Sequence, residues 1–194
     1  FVWDPRTGVC GERRQALVQT IDLAPTLLEY FGLPIPADME GRPLRETIES
    51  DKKIRDYALF GQHGIHVNIT DGRYVYMRCP MPDKEQELFN YVVEPTSYPG
   101  AITVEELKTA VLHEGFSFTK GCKVMKIQSK DHMGDTTSFG SLLFDLKEDP
   151  GQEHSLEDET VREQMKAYIR EYMEKNDAPE ELFRRLGFDE KRPV

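Results

Sequence analysis

Two histidines in a glycine-punctuated stretch, Gly61-Gln62-His63-Gly64-Ile65-His66, are the side chains of this sequence most open to chemistry. Near neutral pH an imidazole donates or accepts a hydrogen bond, and it can hold an anionic or hydroxyl oxygen. No carboxylate or cysteine flanks the pair, so His-x-x-His is not expected to bind a metal. The spacing is too irregular for one strand face and suits a bend. Two readings therefore fit: ordinary surface-turn residues, or a substrate contact with no part in metal binding. His113, His132 and His154 have no partner in sequence. Cys10, Cys79 and Cys122 are odd in number and lack Cys-x-x-Cys spacing, so they signal neither a zinc ribbon nor a redox pair. They are expected to be plain, buried thiols. Tyr74, Tyr76 and Tyr91 read as packing aromatics rather than a carbohydrate platform.

The elements that must position these groups begin with a helix over residues 22–31. Asp22 is expected to cap its first turn, where Pro25 is tolerated, and Gly32 and Pro34 end it. Ile21, Ala24, Leu27, Leu28 and Phe31 recur at helical spacing. Burying Leu27, Leu28 and Phe31 would contribute roughly 1.5–3 kcal/mol each, so the helix should be held by the body it packs on. Residues 43–55 read as a loosely helical connection. Strands are expected over residues 57–62, 65–70 and 73–78, with Asp71-Gly72 as a hairpin turn. Downstream, the pattern predicts a short helix at 85–92 and a helix at 103–112 opened by a Thr103/Glu106 capping box. Strands at 124–127 and 142–146 follow. An amphipathic helix over 160–174 then carries Val161, Met165, Tyr168, Ile169 and Tyr172 on one face, with a last helical piece near 182–186.

With 194 residues, 38% of them hydrophobic, the chain can bury a core. No run is long enough to cross a bilayer, so no membrane insertion is expected. The net charge of −10, with basic residues scattered among acids, argues against a nucleic-acid partner.

Two segments carry a family resemblance. Thr20-Ile21-Asp22-Leu23-Ala24-Pro25-Thr26-Leu27-Leu28, then Gly32-Leu33-Pro34 and Gly41-Arg42-Pro43-Leu44, is similar to the segment near the C-terminal end of the sulfatases. Leu143-Phe144-Asp145-Leu146-Lys147-Glu148-Asp149-Pro150-Gly151-Gln152-Glu153, with Ser155-Leu156 after it, resembles that family's later Leu-Tyr-Asp-Leu-x-x-Asp-Pro element. The resemblance implies an α+β fold, a small antiparallel sheet of about four strands packed with helices. It makes residues 1–50 the end of the large α/β domain, with Phe1-Val2-Trp3 the end of a buried strand. Residues 51–194 become the antiparallel C-terminal subdomain with its terminal helix.

The family's chemistry needs a formylglycine made from Cys/Ser-x-Pro-x-Arg and a calcium held by clustered carboxylates. Ser97-Tyr98-Pro99-Gly100-Ala101 has Ala101 where the arginine must be, and there is no adjacent Asp-Asp pair. Asp131-His132-Met133-Gly134 only echoes the later metal element and reads better as a polar loop. The resemblance therefore implies a non-catalytic portion with no cofactor of its own. Calcium and formylglycine are expected in an upstream catalytic domain, which becomes its partner, and a sulfate ester is the parent's substrate. His63 and His66 would then meet that substrate at the rim of the parent's pocket. Two alternatives stay open: the tail of a phosphate- or phosphonate-ester hydrolase of the same superfamily, and an independent binding or scaffold module.

Overall fold

The computed structural model describes residues 1–82, 87–97, 100–129 and 137–188. The chain forms two compact units, residues 1–59, 69–75 and 144–155, and residues 60–68, 76–143 and 156–194.

In the first unit a 3₁₀ turn, Thr20–Asp22, leads into α1 (Leu23–Tyr30). The Asp22 carboxylate does not cap α1, as the sequence suggested, but turns back and across. It accepts from Gln19 N at 2.7 Å and Arg42 N at 2.9 Å, and from the Arg55 guanidinium. Thr26 completes the clasp: its hydroxyl donates to Asp22 O at 2.5 Å and accepts from Leu44 N at 3.0 Å. Gly41 passes so close to the 3₁₀ turn that a Cβ there would lie 2.0 Å from Ile21 O, which excludes any side chain. At the far end Leu33 N donates to Leu28 O at 2.8 Å and Gly32 N to Glu29 O at 3.1 Å, the paired bonds of a Schellman stop. Thr26→Val, which keeps the shape and removes both hydroxyl bonds, should cost about 1–2 kcal/mol in urea unfolding. A loss near zero would mean that the clasp does not depend on Thr26.

Two expectations for this unit are corrected. Leu27 and Phe31 are exposed and Leu28 is half-buried; Leu23, Leu27 and Phe31 form an i, i+4, i+8 stripe open to solvent. Residues 1–3 form no strand and are exposed, because none of the described strands pairs with them. The connection contains α2 (Arg45–Ser50), which ends at Asp51 in the left-handed region. The Asp51 carboxylate accepts from Gln15 N and Ala16 N at 2.8 and 2.9 Å.

One sheet has the order β1-β2-β3-β9, antiparallel, from β1 (Ala58–Gly61), β2 (Val67–Thr70), β3 (Tyr74–Arg78) and β9 (Leu142–Asp145). Between β2 and β3 the Asp71 carboxylate accepts from Arg73 N at 2.9 Å and Tyr74 N at 2.8 Å, so its side chain shapes the turn before Gly72. Val75 and Tyr76 are consecutive and both buried, so β3 is covered on both faces rather than alternating cleanly. After β9 the second resembling segment closes on itself. Asp145 accepts from Arg73 Nη2 at 2.8 Å and Lys147 N at 3.0 Å, and Asp149 accepts from His154 N at 2.8 Å. The Arg73 hydrogen bonds hold the Asp145 carboxyl below the usual carboxylate range.

A second antiparallel sheet, β4-β8-β7, lies in the second unit, from β4 (Phe89–Val92), β7 (Val111–His113) and β8 (Val124–Gln128). Two helix expectations fail here. Residues 89–92 pair with β8, Tyr91 opposite Lys126, and residues 83–86 lie outside the described part. The capping box forms as expected, with Glu106 N to Thr103 Oγ1 at 3.3 Å and Thr103 N to Glu106 Oε2 at 2.9 Å. Yet α3 spans only Val104–Leu107, because Val111 and Leu112 pair with Lys126 and Met125. A minimal ribbon of β5 (Thr96–Ser97) and β6 (Gly100–Ala101) precedes α3. Asp158 caps α4 (Glu159–Lys175), accepting from Val161 N at 3.1 Å, and α4 buries Met165, Ile169 and Met173. α5 (Glu180–Arg185) buries Phe183 and Arg185. No described helix is long and apolar enough to cross a membrane.

Candidate functional site

In the second unit a cavity of about 310 Å³ is lined by the bend between β1 and β2, by β4 and by α5. The bend contributes His63, Gly64 and Ile65; β4 contributes Phe89 and Tyr91; α5 contributes Glu181 and Arg185. Gly64 takes φ +89, and a Cβ there would lie 3.0 Å from Leu88 Cδ2, so the bend both needs the left-handed region and packs tightly.

The two histidines of the bend diverge. His63 is exposed and lines the cavity. His66 is only 5% exposed, and its Nε2 lies 2.8 Å from Gly140 O. A carbonyl can only accept, so the ring donates from Nε2 and faces inward.

Sequence reasoning missed the polar cluster that two of the lining residues, Tyr91 and Glu181, form with Lys126. Lys126 Nζ lies 2.6 Å from Glu181 Oε1, the Tyr91 hydroxyl donates to the same carboxylate oxygen, and Lys126 sits 4.2 Å above the Phe89 ring centroid. Burial pushes the Glu181 carboxyl up, but the Lys126 and Tyr91 hydrogen bonds outweigh it and hold the group below its usual range. Burial and the Glu181 carboxylate together push the Tyr91 phenol upward. Tyr91 is therefore a neutral donor near pH 7, and Glu181 an ionised, satisfied acceptor. The signal for this cluster lay only in three strand and helix residues far apart in sequence, which nothing local connects.

Among the described residues no group of three or more His, Cys, Asp or Glu could hold a metal ion. Asp131-His132-Met133-Gly134, and Tyr98 and Pro99 of the Ser-x-Pro sequence, lie outside the described residues. Cys79 is buried, but Cys10 and Cys122 are exposed, contrary to the expectation of three buried thiols, because both sit in surface loops.

No family model matches the sequence. Among solved structures, the chain is similar to a proposed sulfatase from Bacteroides thetaiotaomicron, at 17% identity and a TM-score of 0.45. It is also similar to a 2-O GAG sulfatase, at 16% identity and 0.44, and to a protein solved with its substrate D-glucosamine-2-N,6-O-disulfate, at 12% and 0.42. Each match covers 79% of this chain and 23–24% of the other, so the chain spans about a quarter of the length of these structures.

Proposed function

We propose that this chain is the C-terminal, non-catalytic portion of a sulfatase-type hydrolase whose parent cleaves sulfate esters. The observation that carries the reading is what the residues of both resembling segments do. Asp22 and Thr26 bind the backbone of Arg42 and Leu44 across Gly41, and Asp145 and Asp149 bind the backbone of their own turns. These residue types are spent on building a scaffold. Formylglycine and calcium belong to the parent's catalytic portion, and that portion would cover the apolar stripe of Leu23, Leu27 and Phe31. His63, at the cavity, donates to the anionic ester or a neighbouring hydroxyl, while His66 supports the bend from behind.

The chain alone is expected to hydrolyse neither aryl sulfates nor aryl phosphates. Joined to its upstream catalytic portion, it should hydrolyse an aryl sulfate in a calcium-dependent reaction. Turnover of phosphate esters only would assign it to the phosphoryl enzymes. An upstream sequence without Cys/Ser-x-Pro-x-Arg, and no turnover of either ester, would leave a binding module. In the active parent, His63→Ala should raise KM about tenfold with kcat and calcium content retained, as loss of one substrate hydrogen bond requires.

A further inference from the structure

We infer that Arg185 is the positioning residue of the bend that carries His63. The inference rests on the reading of His63 as the substrate contact only for its consequence in catalysis; its structural content stands on the bend itself. Arg185 lies on α5 and is 3% exposed, yet its Nη2 donates to Gly64 O at 2.7 Å, across 121 positions of sequence. Its own carbonyl accepts from Met81 N at 2.7 Å, so the backbone of α5 is tied at the residue that sends out the guanidinium.

The backbone of the bend holds itself only weakly. Ile65 N reaches Gln62 O only at 3.5 Å, and Gly64 at φ +89 stands in a region where glycine has the widest freedom. On one side His66 anchors the chain to Gly140 O. On the other, the charge-assisted bond from Arg185 holds the carbonyl of the Gly64–Ile65 peptide, one residue after His63. A guanidinium suits this task because its planar fork spans two directions at once and stays charged at every working pH. Arg184, the adjacent residue, turns elsewhere and binds Glu87 Oε2 at 2.7 Å, which makes it a control of equal charge in the same helix turn.

The test is hydrogen exchange on the full chain, read for residues 60–68 with α4 as internal reference, together with the imidazole resonances of His63. Arg185→Met should speed exchange in the bend roughly tenfold or more and shift or broaden the His63 signals, with α4 unchanged. Arg185→Lys, which keeps a charged donor, should restore part of the protection and of the His63 signature. Arg184→Met should leave the bend as it is. Unchanged exchange in Arg185→Met would overturn the inference. So would protection lost equally in the bend and α4, which marks a residue of general stability, or an equal effect of Arg184→Met. If His63→Ala leaves the parent's KM unaltered while Arg185→Met still loosens the bend, the substrate reading fails and the positioning role stands.

Discussion

Replacing Asp22 with alanine is expected to lower the stability of the chain by about 3–5 kcal/mol, the cost of stranding one partner of a buried ion pair. Asp22 is fully buried, at 0% exposure, and its carboxylate gathers Gln19 N, Arg42 N and the Arg55 guanidinium. Its loss leaves two backbone N–H groups without an acceptor and a guanidinium without its counter-charge. Arg55 also donates to Gln19 Oε1 at 2.5 Å, and Gln19 Nε2 to Leu59 O at 2.8 Å, so the disturbance spreads to the entry of β1. Asp22→Asn retains an acceptor for one backbone amide and should lose less. The double variant Asp22→Ala, Arg55→Met should recover part of the loss, since it removes the stranded charge as well. Urea unfolding of the three variants decides this. A single-variant loss under about 1 kcal/mol would show that water enters the clasp and that the pair is not its hub.

The second large effect is expected at Glu181. Removing its carboxylate as Glu181→Ala takes the partner from Lys126 and from the Tyr91 hydroxyl at once, and should cost about 2–3 kcal/mol. The same cluster sets a pH dependence. The Glu181 carboxyl is held below its usual value of 4.5, so its contribution is complete above that pH and is lost as pH falls through the lowered value. The Tyr91 phenol is held above its usual value of 10.0, so its contribution is complete below pH 10.0 and is lost as pH rises towards the raised one. Stability measured across pH should therefore fall at both ends. Glu181→Gln should flatten the acid limb, and Tyr91→Phe the alkaline limb, at a cost of about 1 kcal/mol at neutral pH. Acid and alkaline limbs unchanged in both variants would remove the cluster from the account of this unit's stability.

Local chemistry was legible wherever one short segment settles its own conformation. The end of α1 at Gly32, the Thr103/Glu106 capping box, the turn at Asp71-Gly72 and the apolar face of α4 were all open to reading, because each is decided by groups within about a helical turn. Residues 89–92 and 111–113 were different. Their patterns serve a helix as well as a strand, and only pairing with β8 from another part of the chain made them β4 and β7.

The site divides in the same way. The bend around His63 and His66 was visible from its glycines, whereas the inward turn of His66 depends on Gly140 and the polar cluster beside the cavity on Tyr91, Lys126 and Glu181 meeting across the second unit. The role of Asp22 followed the same rule: an aspartate before a helix looks like a cap, and becomes a clasp only because Arg42 and Arg55 arrive beside it. The sequence by itself determined where the chain turns and which segments are amphipathic, since those choices rest on backbone sterics and on neighbours a few residues away. Tertiary structure alone decided which apolar stripe is covered and which carboxylates find cations, because burial and charge pairing depend on groups that only folding brings within a few ångströms.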